Sequence, residues 1–102
     1  MKKIVAITAV VAMFGGFGSA SAGDVAAGKA KFAVCAGCHG PTGAGNLTAG
    51  YPALTGKTAE FVAQQLKLFK SGDRSNATMM AMTAPLSDTD IENVAAYIAT
   101  LK

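Results

Sequence analysis

The sequence predicts a small all-α fold with three main helices and a long loop. In the second helix Val62, Leu66 and Phe69 recur at i, i+4 and i+7, and a similar apolar face runs over residues 91–101. Residues 40–56 are rich in Gly, Pro and Thr and have little apolar periodicity, which predicts a loop between the first two helices. No stretch carries a strand signal of comparable strength.

Residues that cap or stop helices mark the ends of the three elements. Asp24 can cap a first helix that we expect to run to about Val34. Thr58 can cap the second helix, and Gly72 is a typical C-terminal stop. Residues 87–90 (Ser-Asp-Thr-Asp) have the arrangement of a capping box and open the last helix.

The first 22 residues have the pattern of an export signal. Two lysines precede an apolar run from Ile4 to about Phe17, and Ala20-Ser21-Ala22 fits the A-x-A cleavage pattern. The apolar run has about 14 residues, fewer than the roughly 20 that a membrane-spanning helix needs. We therefore expect a cleaved signal peptide at residues 1–22, a mature domain at residues 23–102 and a periplasmic location; an uncleaved anchor is the alternative.

The charge balance argues against a nucleic-acid partner. The chain has nine Lys and Arg against six Asp and Glu, and two of the nine lie in the expected signal peptide. The mature domain thus carries seven cations against six anions, a formal charge of +1. This is far from the basic excess that binding to a phosphate backbone requires.

The only two cysteines and the only histidine form one motif, Cys35-Ala36-Gly37-Cys38-His39. A disulfide would close too small a loop to stabilise a small domain much, and zinc would need four ligands. A thioredoxin-type redox pair would need a strand before the motif, where we expect a helix. Cys-x-x-Cys-His is the attachment signature of c-type haem. It predicts one covalently bound haem c with His39 as an iron ligand; the disulfide and the redox pair remain the alternatives.

The group opposite His39 decides what the iron can do. A filled position suits electron transfer, whereas an open one suits ligand binding or peroxide chemistry. Met79, Met80 and Met82 follow the motif in a segment without helical or strand period, which we expect to be a loop. One of them is the expected sixth ligand, and the alternative is that all three are adaptable core filler.

Four stretches of the mature domain carry a family resemblance. They are CAGCHG (35–40), YPALTG (51–56), FVAQQLKLFKSGDR (61–74) and MMAMTAPLSDTDIENVAAYI (79–98). In this order they resemble the class I c-type cytochromes, specifically the short bacterial kind (cytochrome c-553/c-5-like). They are also similar to one half of the two-haem periplasmic cytochromes of that group. The resemblance covers the whole mature chain and implies a small cytochrome c fold, with three main helices and loops wrapped around one covalently bound haem.

The resemblance also implies roles for individual residues. Cys35 and Cys38 would form the thioether attachments, and His39 would be the proximal iron ligand. Pro52 matches a proline whose carbonyl accepts the histidine Nδ1–H. Leu54 matches an apolar residue that packs on the haem.

The same resemblance selects one methionine. In this group the axial methionine lies seven residues before the leucine of the Leu-Ser-Asp stretch. That leucine is Leu86, which makes Met79 the expected iron ligand, with Met80 as the runner-up and Met82 less favoured.

We therefore expect an electron-transfer protein rather than an enzyme. It would carry single electrons between larger redox proteins, such as a terminal oxidase or a periplasmic reductase, through transient docking. We expect no small-molecule substrate, no membrane integration once the signal is cleaved, and a monomer. The alternatives are an electron-entry subunit of a larger complex, and a haem enzyme or gas sensor with an open iron position.

Four cations are candidates for a patch that steers partners. They are Lys57, Lys67, Lys70 and Arg74. The alternatives are an ordinary solvated helix face, and an apolar docking rim near the haem edge formed by Ala36, Gly37 and Ala44.

Overall fold

The computed structural model describes residues 23–102, and the expected signal peptide at residues 1–22 lies outside the described residues. The α-helices are α1 (Val25–His39), α2 (Ala59–Ser71), α3 (Ala77–Thr83) and α4 (Asp88–Ile98). One 3-10 turn, Leu47–Ala49, lies in the loop after α1, and an isolated bridge joins Asn46 to Tyr51 without forming a strand. Within this part of the chain no helix has both the length and the apolar character to cross a membrane. The all-α prediction is confirmed.

The first helix is longer than the sequence indicated. We expected it to end near Val34, but α1 continues to His39 and carries the whole Cys-x-x-Cys-His motif. The Asp24 carboxylate caps its start by accepting a hydrogen bond from the Ala27 N–H at 3.1 Å. Gly40 ends it with φ 88°, a conformation that favours glycine. Both cysteines therefore lie three residues apart on one helical face.

The second helix has both boundaries that its capping residues predicted, and the last helix has the predicted start. The last helix ends at Ile98, so Leu101, which we expected on its apolar face, lies beyond it. The Thr58 hydroxyl accepts a hydrogen bond from the Phe61 N–H at 3.1 Å, and Gly72 ends α2 in the left-handed conformation. Ser87 and Asp90 form a reciprocal capping box with both hydrogen bonds at 3.0 Å. The Ser87 N–H donates to the Asp90 carboxylate and holds the pKa of that carboxyl below its ordinary value.

The methionine segment is a short helix, so the prediction of a loop was wrong. α3 has seven residues, too few for an apolar period to be visible in the sequence. The Asn76 side chain caps it by accepting a hydrogen bond from the Met79 N–H at 2.9 Å. The Thr83 hydroxyl donates to the Met79 carbonyl at 2.8 Å. These bonds hold the backbone of the segment in a helix.

The core lies where α1, α2 and α4 meet. Its buried apolar side chains are Phe32, Val62, Ala63, Leu66, Ile91, Val94, Ala95 and Ile98. α1 and α4 approach closely because Gly28 has no side chain: a Cβ there would lie 1.9 Å from the Asn93 carbonyl oxygen. Beside this contact the rings of Phe32 and Tyr97 pack with centroids 5.2 Å apart. The backbone contact at Gly28 therefore sets the distance between the two helices.

We predict that Gly28→Ala lowers the free energy of unfolding by roughly 1–3 kcal/mol, the usual cost of overpacking a tight contact. The added methyl group must push α1 away from α4. Gly37→Ala is the matched control, since it lies in the same helix and its Cβ would have no atom within 4 Å. That control should keep or slightly raise stability. Urea unfolding compares the two variants, and equal stabilities would contradict the tight contact.

Candidate haem crevice

A crevice of about 320 Å³ opens between α1, α2, α3 and the loop that follows α1. Its apolar wall includes Val34, Leu54, Phe61, Val62, Leu66, Phe69, Met79, Met82 and Ile98. The residues that the sequence singled out also lie together on this wall: Cys35, Cys38, His39, Pro52, Leu54 and Met79. The fold thus brings one motif on α1, one loop and one short helix to a single cavity.

The two cysteines face the crevice as half-buried free thiols. Burial raises the pKa of the Cys35 thiol, and the neighbouring charge of Cys38 adds to the rise. The whole motif lies within α1, whereas a thioredoxin-type pair would need a strand before it. The fold therefore does not favour the redox-pair interpretation.

The His39 ring is buried and is oriented by one hydrogen bond. Its Nδ1 lies 2.8 Å from the Pro52 carbonyl oxygen. Because a carbonyl oxygen can only accept, Nδ1 carries the proton and donates it. The other ring nitrogen, Nε2, then keeps its lone pair, which is the form of histidine that binds a metal. A carbonyl partner at Nδ1 also fixes the ring direction and makes Nε2 a stronger donor to a metal.

The Pro52 carbonyl reaches His39 because the loop folds back across Gly45. The Gly45 N–H donates to the His39 carbonyl at 2.7 Å. Gly45 has φ 75°, and a Cβ there would lie 2.6 Å from the Ala53 nitrogen and the Pro52 carbonyl carbon. The returning segment of the loop also places the half-buried Leu54 side chain against the core. Sequence reasoning missed Gly45, since its role depends on which segment returns across it.

Two of the three methionines of α3 point into the crevice. Met79 and Met82 both lie on the wall, as residues three apart on one helical face do. The Met80 methyl instead lies 3.7 Å from where a Cβ of Gly72 would be. Met79 is also half-buried against the core. It therefore remains the expected iron ligand, and of the other two methionines only Met82 shares its crevice wall.

The four cations that were candidates for a steering patch have different environments. Lys67 forms an ion pair with Glu92 at 2.9 Å. Lys70 donates to a backbone carbonyl just before α4, so both lysines tie α2 to the segment around the start of α4. Lys57 and Arg74 lie on the crevice wall. Three of the four side chains, those of Lys67, Lys70 and Arg74, are thus engaged within the protein.

The donor set of the crevice fits a c-type haem. It offers two thiols on one helical face, an imidazole whose Nε2 is available, and the thioether of Met79, inside a largely apolar wall. Such a set matches two thioether attachments and a histidine–methionine pair of axial ligands.

Comparison with known proteins agrees with this donor set. The family model for cytochrome c matches residues 25–102. The chain is 43 % identical over 82 residues to cytochrome c-554(548) of Halomonas halodenitrificans, covering 78 % of this chain and 98 % of that protein. It is 37 % identical over 102 residues to the thiosulfate dehydrogenase electron acceptor of Thiomonas intermedia, covering 100 % of this chain and 45 % of that protein.

A solved structure supports the same family. Reduced cytochrome c4 from Pseudomonas stutzeri superposes with a TM-score of 0.73 at 35 % identity, over 80 % of this chain and 53 % of that one. The chain thus spans about half the length of cytochrome c4 and less than half of the thiosulfate dehydrogenase electron acceptor. The family match and the Cys-x-x-Cys-His motif together show one covalently bound haem c. The chain belongs to the cytochrome c family, as a class I c-type cytochrome similar to one half of a two-haem cytochrome c4.

Proposed function

We propose that this cytochrome is a periplasmic single-haem electron carrier, exported by a signal peptide at residues 1–22 and folded as the domain 23–102. The observation that carries the proposal is the pair of candidate iron ligands on the crevice wall, His39 from α1 and Met79 from α3. With His39 and Met79 both bound to the iron, no coordination site would be left for a substrate. A haem held by these residues would supply one-electron chemistry.

The residues around both ligands hold them in place. The Pro52 carbonyl fixes the His39 ring at 2.8 Å. The Asn76 cap and the Thr83 hydroxyl hold the backbone of Met79 within α3. Ligands held in this way change position little when one electron is added or removed. The attachments are Cys35 and Cys38 in this proposal, and the half-buried Leu54 side chain helps to exclude water from the crevice.

The surface beside the haem motif supports brief docking to a redox protein. No charged residue occurs between Lys31 and Lys57. Within this uncharged stretch Leu47, which lies outside the crevice, is 84 % exposed. Such a surface suits a small apolar contact, below about 1,200 Å², with a redox partner such as a terminal oxidase or a periplasmic reductase.

The names of two relatives favour a particular kind of donor. Proteins 37 % and 42 % identical to this chain are called thiosulfate dehydrogenase electron acceptor. A periplasmic dehydrogenase is therefore a candidate donor in this proposal. An electron-entry subunit would differ from a free carrier by purifying within a larger complex, and this cytochrome should purify alone.

Carbon monoxide tests the filled iron positions. The reduced wild-type protein should show no prompt change of its absorption spectrum on addition of carbon monoxide, since Met79 occupies the position that the gas would need. The measurement is an optical spectrum of both oxidation states with and without the gas. Prompt binding would favour the alternative, a haem enzyme or gas sensor with an open iron position.

The axial methionine is tested by Met79→Ala, with Met82→Ala as the matched control on the same face of α3. Met79→Ala should abolish the methionine-to-iron charge-transfer band, lower the reduction potential and allow carbon monoxide to bind. Met82→Ala should keep the band. Loss of the band in Met82→Ala alone would transfer the ligand role to Met82.

The support of His39 is tested by Gly45→Ala. The added Cβ should displace the backbone at Pro52 and Ala53, leave the buried His39 N–H without its acceptor, and cost about 1–3 kcal/mol of stability. The weaker imidazole should also raise the reduction potential. Gly50→Ala is the matched control, since Gly50 has a similar φ of 87° but open space around its Cβ position. If both variants changed the reduction potential equally, the change would come from backbone strain at a positive φ and not from loss of the His39 hydrogen bond.

A further inference from the structure

Two positively charged side chains lie on the wall of the haem crevice, those of Lys57 and Arg74. The ion pairs within residues 23–102 use Lys31 and Lys67 instead. In this part of the chain, neither crevice cation therefore has a carboxylate within 4.0 Å. Both residues are exposed, so their charges are available to a negatively charged group that enters the crevice.

The Arg74 head group is held at the crevice by two residues of α2. Its guanidinium carbon lies 4.5 Å from the centroid of the Phe69 ring. Its Nη1 donates to the Gln65 side-chain oxygen at 2.6 Å. Both Phe69 and Gln65 also line the crevice. A guanidinium has five N–H donors, and the bond to Gln65 uses one of them.

A haem carries two propionate carboxylates in addition to the groups that the thioethers and axial ligands engage. We propose that Arg74 and Lys57 are the binding site for these two carboxylates. The planar fork of an arginine matches a carboxylate with two parallel hydrogen bonds, whereas a lysine supplies a compact point charge. Two cations and two carboxylates would balance within the crevice, where an uncompensated carboxylate is costly. The proposal rests on the covalent haem and not on the carrier function.

The same charges should adjust the reduction potential. A positive charge near the iron favours the reduced state, which carries one positive charge fewer. Loss of Arg74 or Lys57 would remove that charge and leave a carboxylate uncompensated, and both effects favour the oxidised state. Each neutral variant should therefore have a lower potential than the wild type.

The test uses the holoprotein with its haem carboxylates labelled with ¹³C through labelled 5-aminolevulinic acid. Arg74→Gln and Lys57→Gln should each shift the labelled carboxylate bands in redox-difference infrared spectra and lower the midpoint potential. Lys67→Gln is the matched control, because Lys67 pairs with Glu92 outside the crevice. It should leave the labelled bands unchanged. Labelled bands that are unchanged in both crevice variants would overturn the proposal, whatever happens to the potential.

Two further variants separate a direct contact from a structural effect. Arg74→Lys keeps the charge and should restore most of the potential and part of the band position. Gln65→Leu removes the hydrogen bond that positions Arg74 and keeps the guanidinium charge, and it should shift the same labelled band by less than Arg74→Gln does. If Arg74→Gln fails to fold, Arg74→Lys, Gln65→Leu and Lys57→Gln still show whether the two cations contact the haem carboxylates. Bands in Arg74→Lys and Gln65→Leu that match the wild type would exclude Arg74 from the carboxylate site.

Discussion

The hydrogen bond between the His39 Nδ1–H and the Pro52 carbonyl joins the end of α1 to a point 13 residues further along the chain. It determines the tautomer and direction of the ring, and so leaves Nε2 available to the iron. The loop must also fold back for this bond to form, and its return puts Leu54 on the crevice wall. The return crosses Gly45 at a distance that only glycine tolerates. One polar contact thus couples the position of the proposed iron ligand, His39, to the shape of the cavity.

The opposite side of the crevice depends on a different set of contacts. α1 and α4 are held together through the backbone at Gly28, and α2 packs its apolar face against them. α3 is too short to be a stable helix alone. The hydrogen bonds of the Asn76 side chain and of the Thr83 hydroxyl to the backbone of α3 help to stabilise it. The crevice is the space that the helical core leaves unfilled. A haem there would add apolar contacts to a domain of about 80 residues, which is small for a core to stabilise alone. The cofactor would therefore serve both stability and electron transfer.

The charged side chains are divided between two uses. Lys31 and Lys67 pair with carboxylates of α4 and reinforce the helical frame, although exposed pairs of this kind contribute little individually. Lys57 and Arg74 lie on the crevice wall instead. The stretch between Lys31 and Lys57, which includes the haem motif, carries no charge. This distribution supports the proposed brief docking through an apolar surface.

The chemistry of the site and the three main helices were predictable from the sequence, because they depend on local patterns. Cys35, Cys38 and His39 lie within one stretch of five residues, and the helix caps and apolar periods also depend on residues close together in the chain. The continuation of α1 to His39, the helix at the methionines and the close approach at Gly45 were not predictable. Nor was the direction of Met80 away from the crevice, or the place of Arg74 over the Phe69 ring. These features arise only when distant segments pack together, since each one is decided by which backbone or side chain occupies the neighbouring space.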